Sequence, residues 1–127
     1  EFSQREENNN FSVSKFESML KTNSVHFFDS INLNIINHYS EIGKINLAKK
    51  AVKIGLNQHP TSTNLKLYKV AILIFENKLS KADRILTELY ALEPKNEEIY
   101  IQKANIFSKS DEHYKAIDTL KLAIDLS

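Results

Sequence analysis

The chain repeats itself every 34 residues. Pro60 and Pro94 are that far apart, and so are the members of four columns: Ala48, Ala82 and Ala116; Val52, Leu86 and Leu120; Tyr39, Leu73 and Phe107; Gly55, Leu89 and Ala123. A fixed period of this length marks a stack of like supersecondary units. One such unit cannot bury its apolar stripe alone, so each must be covered by its neighbours. Five columns in one register constrain the fold more than any single motif.

Each period reads as two amphipathic helices. Only two glycines and two prolines occur among 127 residues, which favours long helices joined by short connections. In the first unit Ile31, Ile35, Ile36 and Tyr39 share a face, and Asp29 or Ser30 is the expected N-cap. Gly43 breaks that helix and permits a left-handed turn. A second helix is expected over about 45–58, with Leu47, Ala48, Ala51, Val52 and Gly55 inward and Pro60 ending it. The second unit pairs about 62–76 with about 79–92, and Asn77 stands where Gly43 stood. The third pairs about 96–109 with about 112–126, with Asp111 at the turn. Ahead of the repeats, residues 1–11 read as a polar, Asn-rich disordered tail. Residues 12–28 read as a capping helix and connector, with Ser14 and Glu17 as a capping box and Phe16, Met19 and Leu20 on one face.

These residues resemble the tetratricopeptide repeat family over about residues 29–127. The third unit is the nearest match, with Tyr100, Ala104, Phe107, Ala116, Leu120 and Ala123 in the family's large, small and aromatic places. Its ending, Ala123-Ile124-Asp125-Leu126, is similar to the family's usual second-helix ending. The first unit supplies Tyr39, Gly43, Ala48, Gly55 and Pro60. Asn32 and Lys66 depart from the bulky residue the pattern wants, Lys69 from a small or apolar one, and Leu89 from a small one. The resemblance implies an all-α, antiparallel helix-hairpin solenoid with a right-handed superhelical sense and about seven helices. Its three hairpins would span 29–60, 61–94 and 95–127. It implies a non-catalytic protein- or peptide-binding scaffold without a cofactor. The alternatives are a structural segment of a longer solenoid, a self-association module, and, more weakly, an RNA-binding helical repeat.

Composition argues the same way about chemistry. With 17 basic and 16 acidic residues the net charge is +1, which gives no general attraction to nucleic acid or anionic membrane. Absence of cysteine excludes disulfides, thiolate metal sites and a cysteine nucleophile. His26, His38, His59 and His113 form no i, i+4 pair, and two isolated glycines supply no phosphate-binding loop. Glu97-Glu98 and Asp111-Glu112 stand near helix starts, where they favour the helix dipole. Lys44, Lys49, Lys50 and Lys53 read as a solvated outer face rather than a nucleic-acid groove. The apolar run Ile72–Phe75 is far too short to span a bilayer, so no membrane insertion is expected. With no signal peptide in the sequence the cytoplasm is the favoured compartment, and Glu1 implies that the natural start is missing.

The resemblance also implies where binding would occur. First helices of successive hairpins would line a concave face, and the candidate residues there are Asn34, Asn37 and Glu41; Tyr68, Ala71 and Phe75; and Gln102, Asn105 and Lys109. Asn and Gln amides match a peptide backbone, and Tyr68 and Phe75 suit an apolar side chain. The family's clamp for chaperone C-terminal carboxylates needs cations. Only Asn37 suits that clamp, while Leu33, Glu98 and Gln102 stand where cations are expected, so no dicarboxylate-tail binding is expected. The last helix carries Ile117, Leu120, Ile124 and Leu126, which implies that the native protein continues or that this helix packs on another molecule, including a second copy.

Overall fold

The computed structural model describes residues 36–126, and every described element is helical. Residues 36–41 form one helical segment. After it come α1 (Ile45–Gln58), α2 (Thr63–Phe75), α3 (Leu79–Leu92), α4 (Glu97–Lys109) and α5 (His113–Asp125). Six helical segments thus lie among the described residues, against about seven expected for the whole chain. The expected tail (1–11), the capping helix and connector (12–28) and the expected cap at Asp29 or Ser30 fall outside the described residues. No strand occurs among the described residues.

The 34-residue period is written into the backbone itself. The only positive-φ residues described are Gly43 (φ 77), Asn77 (φ 62) and Asp111 (φ 59), one period apart. Around each, the same two hydrogen bonds close the preceding helix. Lys44 N–H donates to Tyr39 C=O at 2.9 Å, Lys78 N–H to Leu73 C=O at 2.8 Å, and Glu112 N–H to Phe107 C=O at 2.9 Å. Gly43, Asn77 and Asp111 N–H groups donate to the carbonyls of Ser40, Ile74 and Ser108. This pair of bonds is the Schellman arrangement, which satisfies carbonyls that a helix end otherwise leaves free. A Cβ added at Gly43 would meet nothing within 4 Å, so the preference for glycine there is one of backbone conformation and not of space.

The helices that follow these turns start alike. Lys44, Lys78 and Glu112 hold φ between −90 and −99 and ψ between 63 and 70, and none makes a side-chain cap. The other helix starts are capped. Ser62 Oγ accepts from Leu65 N–H at 3.3 Å, and Asn96 Oδ1 accepts from Glu98 N–H at 3.1 Å. Glu97 and Glu98 in the first turn of α4 and Lys109 in its last turn complement the helix dipole. Pro60 and Pro94 sit in the turns after α1 and α3, where they end each helix.

The chain divides between Leu65 and Lys66 into two compact units. In the first, Ile36, Tyr39, Ala48, Ala51, Val52 and Leu65 are buried. The second is built on α2 to α5. Leu67, Val70 and Ile74 of α2, Ala82, Leu86 and Leu89 of α3, and Ile99 and Ile106 of α4 form one contiguous core, with Leu73, Leu79 and Ile85 packed against it. α4 and α5 pack closely as a hairpin, and α3 packs against α4. Ala82, Ala104, Ala116 and Ala123 are all buried, which places small side chains where helix backbones approach.

Candidate functional site

α2 sets its buried and its outward residues on adjoining stripes. Leu67, Val70 and Ile74 are buried, and Tyr68, Ala71 and Phe75, one residue further along in each case, lie a ~100° step around the helix. Tyr68 and Ala71 are half-buried, and Phe75 is 66% exposed at the helix end. The three recur at i, i+3 and i+7, so they form one continuous apolar stripe rising from the core to the surface. An aromatic ring this exposed beside a packed core is a ready anchor point for a partner side chain.

The α4 residues expected to share in this surface divide. Asn105 and Lys109 are exposed, as a binding surface requires. Gln102 is only 9% exposed, and its amide Nε2 donates to Glu98 Oε1 at 3.2 Å. It sits three residues beyond buried Ile99 and two before buried Ala104, so it points into the packed flank of α4. Its amide is therefore committed to holding Glu98 and has little surface to offer a ligand. In the first unit Asn37 and Glu41 are exposed, and Asn34 lies outside the described residues.

A second group of side chains, none of them a candidate binding residue from the sequence, gathers where α3 meets α4. Lys103 of α4 forms an ion pair with Asp83 of α3. The Tyr90 and Tyr100 rings meet edge to face, with centroids 6.1 Å apart and planes at 79°. Tyr100 Oη donates to the Pro94 carbonyl at 2.8 Å, tying α4 to the turn before it. Loss of hydration and the neighbouring Tyr90 hold the Tyr100 phenol above its ordinary pKa. Lys103 and Lys115 ammonium groups lie 5.4 and 5.9 Å from the Phe107 ring centroid, within cation–π range. Together Leu86, Tyr90, Tyr100, Lys103, Phe107 and Leu122 border an open cavity of about 320 Å³. The signal for the ion pair was present in the sequence as an acid on one helix and a base on the next, but only the packing of α3 on α4 couples them.

Among the described residues no group of three His, Asp or Glu side chains could hold a metal ion. No helix among them is long and apolar enough to cross a membrane. Lys44, the residue before α1, is exposed; on α1 itself Lys50 and Lys53 are exposed and Lys49 is half-buried, on the side away from Ala48, Ala51, Val52 and Gly55. No protein-family model matches the chain, and no curated protein matches it.

Proposed function

We propose that this chain is a tetratricopeptide-type helical repeat that binds a protein or peptide segment, without chemistry, on the surface lined by the first helices of its hairpins. The recurrence of the left-handed turn at residues 43, 77 and 111 supports the repeat. The observation that carries the binding reading is the stripe Tyr68, Ala71 and Phe75. Phe75 and Tyr68 would receive an apolar side chain, and Asn105 would pair with the backbone of the bound segment. Gln102 acts in this reading by fixing Glu98 and not by touching the ligand. A chaperone carboxylate tail is not the ligand, since Glu98 stands where that clamp needs a cation.

A pull-down from the source cells with the full chain as bait, read by mass spectrometry, tests this. Tyr68→Ala, Phe75→Ala and Asn105→Ala should each release the recovered partner while far-ultraviolet circular dichroism stays unchanged. Retention of the same partner by all three variants would remove this surface from consideration.

A further inference from the structure

α3, α4 and α5 border an open cavity of about 320 Å³ that the binding reading above does not use. Its apolar lining is the buried Leu86 and Ile99 and the half-exposed Leu122. Three rings complete it: Tyr90 and Tyr100, which meet edge to face, and Phe107. The charges and hydroxyls at its border are largely engaged within the chain. Asp83 is paired with Lys103. Thr87 Oγ1 donates to the Asp83 carbonyl at 2.9 Å, and Thr119 Oγ1 to the Lys115 carbonyl at 2.8 Å. Tyr100 Oη donates to the Pro94 carbonyl at 2.8 Å. A cavity whose one acid and one base neutralise each other asks no charge of what enters it. A charged group would lose hydration there with no opposite charge left to meet it.

The volume lies at the lower end of the roughly 300–1,000 Å³ typical of ligand pockets, which is room for one ring system. Aromatic neighbours favour a further ring, because edge-to-face and offset arrangements add to the gain from area burial. Lys103 sharpens the choice. Its ammonium carries three N–H bonds, and Asp83 takes one of them. The group lies 5.4 Å from the Phe107 ring centroid, and Lys115 lies 5.9 Å from the same centroid. An aromatic face is an uncharged surface that attracts such a cation, and an aliphatic group is not. We propose that this cavity is a second binding site, one that takes an uncharged aromatic ring packed against Tyr90 and Tyr100 with its face toward the Lys103 ammonium. The site uses no residue of α2, so it stands or falls apart from Tyr68, Ala71 and Phe75. The ring arrives as a free molecule or as the side chain of a protein, with the same chemistry in both cases.

The probes are indole, indoleacetate, tryptamine and N-acetyltryptophanamide, titrated into the isotope-labelled full chain and followed by nuclear magnetic resonance. Indole should shift the amides of Leu86, Tyr90, Lys103 and Phe107 saturably. Indoleacetate and tryptamine, the same ring with a negative and a positive charge, should bind more weakly. Lys103→Met should weaken indole by about two- to fivefold, the range that an exposed cation–π contact gives. It should also make tryptamine the better of the two charged probes, because Asp83 then lacks its cation. Asp83→Asn should favour indoleacetate for the converse reason, and Tyr90→Ala should weaken every probe. All three residues are partly exposed, so circular dichroism should stay unchanged in each variant. Binding of N-acetyltryptophanamide at the same amides assigns the ring to a protein side chain, and its failure beside indole binding assigns it to a free molecule. No shift at these amides, shifts confined to Tyr68, Ala71 and Phe75, equal binding of charged and uncharged probes, or indifference to Lys103→Met overturns the assignment.

Discussion

α3 and α5 hold the same place in the repeat and have opposite fates. Both follow a left-handed turn residue, Asn77 before α3 and Asp111 before α5, and both start with the same backbone angles. Both turn an alanine inward, Ala82 and Ala116, and a second buried residue one column on, Leu89 and Ala123. Yet Leu86 is 2% exposed and Leu120 is 42% exposed. The two leucines are chemically identical and equally placed along the helix. What separates them is α4, which lies over Leu86, while no described helix lies over Leu120. Burial here belongs to the neighbouring helix and not to the residue itself.

The largest expected effect tests that difference directly. Leu86→Ala should destabilise by about 3 kcal/mol, since it removes a fully packed side chain from the core of α2, α3 and α4. Leu120→Ala should cost about 1 kcal/mol, because the residue is already 42% exposed and has less burial to lose. Urea titration followed by circular dichroism gives both values. Equal losses would mean that Leu120 is covered in solution, for example by a partner or a second copy.

The alanine column sharpens the comparison at the next level. Ala82→Leu should cost about 1–3 kcal/mol by overpacking a side chain that has no exposed surface. Ala116, 7% exposed, should cost the lower end of that range when changed to Leu, because α5 is packed on one side only. Thermal melts of the two variants check the order. Unchanged melting temperatures in both would contradict the register itself.

The smallest effect concerns what the two helices share. Asn77→Gly and Asp111→Gly should each stabilise by roughly 0.5–1 kcal/mol, by relieving a side chain held at positive φ. Gly43→Ala should destabilise by about 1 kcal/mol for the same reason, with no clash involved. Similar gains at 77 and 111 would locate the difference between α3 and α5 in their covering and not in how they are launched.

Much of the fold was legible in the sequence, for identifiable reasons. The helix bounds of about 45–58, 62–76, 79–92, 96–109 and 112–126 agree with the described helices to within one or two residues, because proline, a left-handed residue and an N-cap mark nearly every end. The left-handed turn at Gly43 was readable because glycine takes it without strain, and Asn77 and Asp111 followed from the period. The candidate surface was less legible. Tyr68 and Phe75 are accessible in keeping with their helical spacing, whereas Gln102, chosen by the same spacing rule, is tucked against Glu98. A spacing rule gives the direction of a side chain from its own helix. It does not say how far the next helix reaches over it.

The sequence by itself determined the helices, their turns and the 34-residue register, because those depend on local backbone preference and on the alternation of apolar and polar residues along one chain. Only the tertiary structure decided that Asp83 meets Lys103, that Tyr90 meets Tyr100, and that Leu86 is covered while Leu120 is open. Those outcomes depend on which helix lies beside which, and that is a property of the packed helices that no single period contains.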